Sequence, residues 1–468
     1  MRIIGLDLAI ASAHKAVVAD ATGQFLTSVF PVATWADELG TLLQRARSSA
    51  TEEALSVVME PTGLAWLPVS VYLRRQSVTT YVVNSKYVAA LRRYYHQMAK
   101  SDRIDARVLA KLLVVSPEKL HPLLLPLAPV LTLQRACKQL DWVITPVTAL
   151  TNQIVAVDRA LWLGGWKDLV FSDPFSPAAR WCREHFYDPS AVLNAGATVI
   201  RQAWRATALD LTDTGAWAEA LVELAQQVLA VYGHPSEYVD FAAFQAEVSC
   251  KQRWLAGFEA DRDDLRLNIV RPLYRHLHPS RNLESLYGVG QDSAAVYISF
   301  IGVPRRFATG RVFRGWSGLV PRSAQSAESE SKGLKISQAG PDLVKKFAYL
   351  DAEVARRYDS QLAKIYYDQM VQHGKHHRQA VVAVATHLLD RIQVIVQEDR
   401  PYELRDVDGT PVTPEQAQTI LAEKYTVPDE VRRRNNRRTR RARAEAQAER
   451  KHRQGRKSNG PATTLVPA

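Results

Sequence analysis

Met1-Arg2-Ile3-Ile4-Gly5-Leu6-Asp7-Leu8-Ala9 is an apolar β-type run broken by a carboxylate, and it sets the terms for the rest of the chain. An acid inside such a run is costly unless its charge is compensated. The pattern recurs in Ala54-Leu55-Ser56-Val57-Val58-Met59-Glu60, where the acid closes the run and Pro61-Thr62-Gly63 turns the chain. A third element, Lys100-Ser101-Asp102-Arg103-Ile104-Asp105-Ala106, spaces two aspartates three apart, on one helix face. Any one of these acids alone reads as a surface or capping residue; Asp102 by itself would cap a helix beginning near Arg103. Together, Asp7, Glu60, Asp102 and Asp105 are the candidate ligands of divalent cations. All-oxygen donors suit Mg2+ or Mn2+. Two such ions about 4 Å apart activate an attacking oxygen and stabilise a leaving one in phosphodiester displacement.

Working outward, the first 115 residues alternate strand and helix patterns. Strands are expected over 3–9, 14–20 and 24–32, then a helix over 35–47, a strand ending at Glu60, a helix over 64–75 and a strand over 78–83. A long helical stretch over 86–115 closes the region. Three strands, helix, strand, helix, strand is the order of a ribonuclease H-like (RuvC-like) α/β domain. Pro117, Pro122, Pro126 and Pro129 mark a linker that opens a second region, 116–282, largely helical from about 131. There Leu221, Leu224, Val228 and Val231 suggest an amphipathic seam. This region reads equally as a coiled-coil arm for dimerisation or as a helical nucleic-acid cradle.

A third, mostly helical region is expected over 283–400. It opens on Gly288-Val289-Gly290 before a helix, which reads either as a helix-hairpin-helix-like phosphate contact or as a plain glycine turn. On composition alone its Ser-rich loop, Arg322 to Ser331, is a linker, since no activating base lies near Ser326. The cluster His373-Gly374-Lys375-His376-His377-Arg378 reads as an exposed basic turn between helices rather than a metal site. Residues 401–468 form an extension with a short helix and a disordered arginine-rich tail.

The 468 residues carry a formal net charge of +12, yet 13 Lys or Arg and 2 Glu between Val431 and Lys457 account for +11 of it. A segment headed by Arg432-Arg433-Arg434 attracts phosphate backbones without reading sequence, or simply stays solvated. Cys137, Cys182 and Cys250 are isolated, which fits a reducing cytosol and no zinc knuckle. Arg2 and the apolar run after it have a signal-like look, but Asp7 interrupts the run and a strand is expected instead. No stretch of membrane-spanning length is expected.

These pieces resemble the DEDD transposases of the insertion-sequence 110 family, whose recombinases work with a bridge RNA. At the N-terminus the likeness rests on Gly5-Leu6-Asp7, Met59-Glu60-Pro61-Thr62-Gly63, Asn84, Lys86 and Lys100 to Arg107. At the C-terminus it runs from Gly288-Val289-Gly290 through Gly318-Leu319-Val320-Pro321 to Gln325-Ser326. The resemblance implies a RuvC-like nuclease domain using Asp7, Glu60, Asp102 and Asp105. It also implies a second domain in which Ser326 attacks DNA and forms a phosphoserine link. Donor and target DNA, a structured bridge RNA and a homo-oligomer (dimer or tetramer) are the implied partners, in the bacterial cytoplasm at the nucleoid, with no membrane. Gly288, Gly290, Arg103, Arg107, Arg432, Arg433 and Arg434 are the candidate nucleic-acid contacts. The chain departs from the family in having Ala327 where Gln-Ser-Gly is usual, and Gln338-Ala339-Gly340-Pro341 where a Lys-Arg-Gly-Asn-like stretch is usual. Ser323, Ser329 and Ser331 are therefore competing nucleophiles. The rival expectations are a junction resolvase or metal-dependent nuclease acting by hydrolysis, and a non-catalytic nucleic-acid-binding protein.

Overall fold

The structure is a computed structural model that describes residues 1–47, 53–96, 101–207, 216–234, 236–320, 325–326, 329–330, 336–337 and 339–437. The chain divides into two compact units, Met1–Leu127 and Ala128–Ala468.

The first unit is a five-stranded mixed sheet in the order β3-β2-β1-β4-β5. Its strands are β1 (Arg2–Asp7), β2 (His14–Ala19), β3 (Phe30–Val32), β4 (Leu55–Met59) and β5 (Thr79–Val82). β1 pairs antiparallel with β2, and parallel with β4, which in turn pairs parallel with β5. Helices α1 (Ala36–Arg47) and α2 (Trp66–Arg75) belong to the core on one face, with Leu39, Leu42, Leu43, Val69 and Leu73 against Ile4, Leu6 and Val57. Helices α3 (Ser85–His96) and α4 (Asp102–Val115) belong to the other, where Val88, Ala106, Leu109 and Leu113 meet Ile3, Val17 and Val58. Burial on both faces explains why β4 reads as a continuous apolar run rather than an alternating one. This topology is compatible with a ribonuclease H-like arrangement. The third strand is shorter than expected: only Phe30–Val32 pair as a strand, because residues 24–29 loop out after an isolated bridge between Ala19 and Phe25.

The second unit is mostly helical. Helix α5 (Ala128–Leu161) starts earlier than expected, with Pro129 inside its first turn, where a missing N–H costs nothing. Its first half packs into a core with Val270, Tyr274 and Tyr297. Its second half enters a separate, tryptophan-rich core with Trp162, Trp166, Trp204 and Trp217. That second core is completed by α6 (Pro177–His185), α7 (Pro189–Arg205), α8 (Ala216–Tyr232) and α9 (Phe241–Asp264). α9 returns alongside α5, with Trp142 edge-on to Phe258 at 6.2 Å. The expected seam on α8 buries Leu221, Leu224 and Val228, but Val231 is 63 % exposed. It lies at the helix end, beyond the packed turns.

The remaining core gathers α10 (Arg271–Leu277), α11 (Gln291–Ile301), α12 (Gly310–Ser317), α13 (Asp342–Ala355), α14 (Ser360–Tyr367) and α15 (His377–Glu398). α16 (Pro414–Lys424) follows. Contrary to the sequence expectation, α5 and α15 are long and apolar enough to cross a membrane by length and composition. Half of the apolar window of α15 is buried in the protein but only 22% of that of α5, whose buried residues, such as Leu133, Leu140 and Ile154, enter the two cores.

Candidate functional site

Parallel pairing brings the first two acids together. Leu6 lies opposite Met59, so Asp7 and Glu60 come at the same end of two neighbouring interior strands, and Asp7 stands across from Lys15 on β2. The other two acids occupy the first turn of α4. Ser101 is its N-cap, with Oγ accepting the Ile104 N–H at 3.3 Å. Asp102 is thus already helical, so the alternative reading of it as the cap does not hold. Carboxylates in a first turn are favoured by the helix dipole.

What presses α4 against the sheet is Gly5. A Cβ there would lie 2.0 Å from the Ala106 carbonyl oxygen and 2.6 Å from the Ala110 nitrogen. The two-residue step from Gly5 to Asp7 couples the close helix–strand approach to the acid.

Asp7, Glu60, Asp102 and Asp105 line one cleft of about 470 Å³, together with Thr62, Ser85, Ala89, Lys15 and Arg92. Asp102 is exposed, Asp7 and Glu60 are half-buried, and Asp105 is buried. Arg92 Nη1 donates to Asp105 Oδ1 at 2.6 Å, so the deepest acid has a countercharge. Among the described residues no three acid, histidine or cysteine side chains stand close enough to hold an ion. The cleft therefore collects four hard-oxygen donors around one space without drawing them to coordination distance. As a donor set they fit a hard divalent cation.

Lys15 and Arg92 are absent from the sequence-based candidates. Each had a signal: Lys15 opposes Asp7 across an antiparallel pair, and Ser85, Ala89 and Arg92 follow the i, i+4, i+7 spacing of one helix face. Asn84 Oδ1 accepts the Lys86 N–H at 2.9 Å and turns the chain into α3. His14 is a further supporting residue. Its Nδ1 accepts the Ala9 N–H at 3.1 Å and its Nε2 bonds Thr34 Oγ1 at 2.9 Å, while burial lowers its pKa. A neutral ring thereby holds the loop that follows Asp7.

In the second unit, Gln325–Ser326 and Ser329–Glu330 form an antiparallel ribbon with Ser326 opposite Ser329. Ser323, Ala327, Ser331 and Gln338 lie outside the described residues. The root of this loop is closed. Ser337 N–H donates to the Val320 carbonyl at 2.9 Å. A Cβ on Gly318 (φ 75°) would meet the Ala339 oxygen at 1.8 Å, and one on Gly340 (φ 74°) the Trp316 oxygen at 2.0 Å. The two glycines interlock, so the Ser-rich segment springs from a fixed base rather than an open linker.

The candidate nucleic-acid contacts separate by environment. Arg103 is exposed, and Arg107 is exposed with its guanidinium 5.5 Å from the Phe25 ring centroid. At Gly288 (φ 88°) a Cβ would lie 2.4 Å from the Asp351 carbonyl oxygen, so packing against α13 accounts for that glycine. Gly290 donates its N–H to Ser293 Oγ at 3.0 Å as the start of α11. Residues 429–437 are helical, which corrects the expectation of a disordered tail for this part. Arg433 and Arg434 are exposed, whereas Arg432 is half-buried beside Tyr366. The cluster at 373–378 is also less open than expected. His377 begins α15, its Nε2 pairs with Glu353 Oε1 at 2.6 Å and its Nδ1 bonds the Tyr366 hydroxyl at 2.8 Å.

Comparison with known proteins finds two family matches. Residues 4–158, which contain all four acids, match the DEDD IS110 family profile described as "Transposase". Residues 280–368, which contain Gly288, the interlocked glycines and Ser326, match the profile described as "Transposase IS116/IS110/IS902 family". The chain is also 24% identical over 234 residues to "Insertion element IS110 uncharacterized 43.6 kDa protein" of Streptomyces coelicolor. That match covers 49% of this chain and 54% of the relative, so the chain spans about half the length of the curated relative it matches. With the two profiles together taking in more than half of the sequence, the chain belongs to the IS110 family of DEDD transposases.

Proposed function

We propose that this chain is a metal-dependent DNA transposase that excises and inserts an insertion sequence by breaking and rejoining strands. One observation carries the reading: acids from three separate segments, at positions 7, 60, 102 and 105, line a single cleft. Asp7, Glu60, Asp102 and Asp105 would hold Mg2+ or Mn2+, and the ion supplies Lewis-acid stabilisation of charge on phosphate oxygens. Ser101, as N-cap, fixes the start of α4 and with it the positions of Asp102 and Asp105 in the first turn. Arg92 balances the charge of Asp105, a carboxylate that would otherwise be available to a bound cation.

Ser326 is the proposed nucleophile. Its Oγ bonds to phosphorus as the bond from phosphorus to one sugar oxygen breaks, and that oxygen leaves as a hydroxyl. Attack by a strand hydroxyl on the phosphoserine reverses the exchange and frees Ser326. One phosphodiester is replaced by another without hydrolysis. Donor and target DNA are the substrates. A bridge RNA that pairs with both supplies sequence specificity, with the protein reading backbone and shape. Cutting four strands calls for a homo-oligomer, dimer or tetramer, working at the bacterial nucleoid.

The test incubates the full chain with donor DNA, target DNA, Mg2+ and RNA transcribed from the element's flanks. A DNA–protein adduct mapping to Ser326, lost in Ser326→Ala, is the expected result. One observation favours a second reading, hydrolysis as in a RuvC-like junction resolvase: the acid cleft is built wholly within the first unit. Under that reading Ser326→Ala keeps cutting, and the wild type forms no adduct. Asp102→Asn abolishes cutting under both.

A further inference from the structure

The head of the arginine-rich segment is anchored, and the anchor gives it a direction. In the helix over 429–437, Val431 packs on the core that includes Val427. Asn435, 4 % exposed, donates from Nδ2 to the Met370 carbonyl at 2.8 Å and to the Lys375 carbonyl at 3.2 Å. Val431 and Asn435 are four apart and define the inner face. Arg433, Arg434 and Arg437 are exposed, and 437 lies three and four residues from the other two, so they share the outer face. Asp429 and Glu430 open the helix, where its dipole favours them. Among the described residues none of the three arginines is paired with a carboxylate.

Like charges at this spacing disfavour a helix. A segment whose only task is to stay solvated needs neither the helix nor a buried asparagine to hold it. A row of guanidiniums fixed on a rigid body does suit a polyanion with regularly spaced phosphates. The charge continues along the chain, with nine Lys or Arg and two Glu from 438 to 457. Both family matches end before this helix begins, so nothing about it is inherited from them.

We infer that Arg433, Arg434 and Arg437 form a fixed clamp on a nucleic-acid phosphate backbone, held in place by Asn435. The inference rests on the proposed work on nucleic acid and adds a second, non-catalytic contact surface in the other unit. Its ligand is the phosphodiester backbone, presented by duplex DNA or by structured RNA.

The test measures affinity against salt for the full-length chain without Mg2+. The probes are a 30-base-pair duplex lacking element sequence, an RNA hairpin of matched length, and phosphatidylserine vesicles. Each phosphate that the protein ceases to neutralise makes the slope of log K against log[salt] shallower by about 0.9 on duplex DNA. R433Q/R434Q/R437Q is therefore expected to reduce the slope by roughly 2 to 3 on the probe that is the true ligand, which separates DNA from RNA. Glutamine is a good helix former at exposed positions, and an unchanged melting temperature confirms that the variant is folded. Asn435→Ala, with every arginine kept, is expected to show at least half of that reduction. A triple variant with the wild-type slope on both nucleic acids, or an effect confined to vesicles, overturns the clamp. A wild-type slope in Asn435→Ala overturns the anchoring. The proposed function fails separately, if Asp102→Asn still cuts DNA.

Discussion

Gly5 and Gly288 do comparable work in different units, and each removes a side chain where two backbones must touch. At Gly5 the atoms in the way belong to the backbone of α4, so alanine cannot be accommodated by moving a side chain. Gly5→Ala is expected to destabilise the first unit by about 2 kcal/mol or more, in the range of overpacking damage. Denaturant unfolding of that unit is the check, and cleavage should fall with stability because α4 carries two of the acids. At Gly288 the contact is the Asp351 carbonyl, and the same residue's side chain supplies a pH effect. Burial pushes the Asp351 carboxyl up to about 7, against the hydrogen bonds it receives from Tyr297 and Ser293. A carboxyl raised in the folded state stabilises fully below its unfolded value near 3.9, and that stability is lost as pH rises through the folded value. Asp351→Asn keeps an oxygen acceptor for the Tyr297 hydroxyl and does not ionise. From about pH 4 to 8 the wild type is therefore expected to lose roughly 4 kcal/mol relative to Asp351→Asn, of which about 2.5 kcal/mol falls above pH 5. Parallel melting curves with pH would expose an error in this assignment.

Among the elements, α5 is the one that links the second unit's two cores. Its charged anchor is Asp158, which accepts from Arg183 Nη2 at 2.6 Å and from the Tyr187 hydroxyl at 2.9 Å. Arg183 is 0 % exposed and also donates to Gln252 on α9, so one guanidinium ties α5, α6 and α9 together. Arg183→Met strands a buried carboxylate and is expected to cost about 3–5 kcal/mol. Pairing it with Asp158→Leu should restore much of the loss, and a double mutant no better than the single would refute the account. Sequence pattern showed that this region is helical, because apolar spacing reports local periodicity. It could not show that α5 and α9 lie against each other, since that depends on partners over a hundred residues apart. The acids were readable for the opposite reason. A carboxylate at the end of a buried run conflicts with its own surroundings, and such conflicts mark sites before any packing is known. Arg92 escaped notice because an arginine on an amphipathic helix conflicts with nothing. The helix over 429–437 escaped because its arginines outweigh Val431 and Asn435 in composition, although those two residues anchor it.

At the scale of the molecule, each unit has its own core, and the acid cleft belongs to the first alone. Separate cores predict two unfolding transitions rather than one. A fragment spanning 1–127 should melt cooperatively near one of them. A cation that binds only the folded cleft raises the stability of that unit by RT ln(1 + [L]/Kd), about 2.7 kcal/mol at a hundredfold excess over Kd. Mg2+ or Mn2+ is thus expected to shift the first unit's transition upward and leave the other in place, with chelator reversing the shift. Arg92 competes with the cation for Asp105, so Arg92→Gln should enlarge the shift at a given metal concentration, while Asp7→Asn should shrink it. Calorimetric scans with and without metal on these three chains separate a metal cleft from an acidic groove. Equal shifts in both transitions, or a shift insensitive to both substitutions, would mean that the cations act on general charge and not at the four acids.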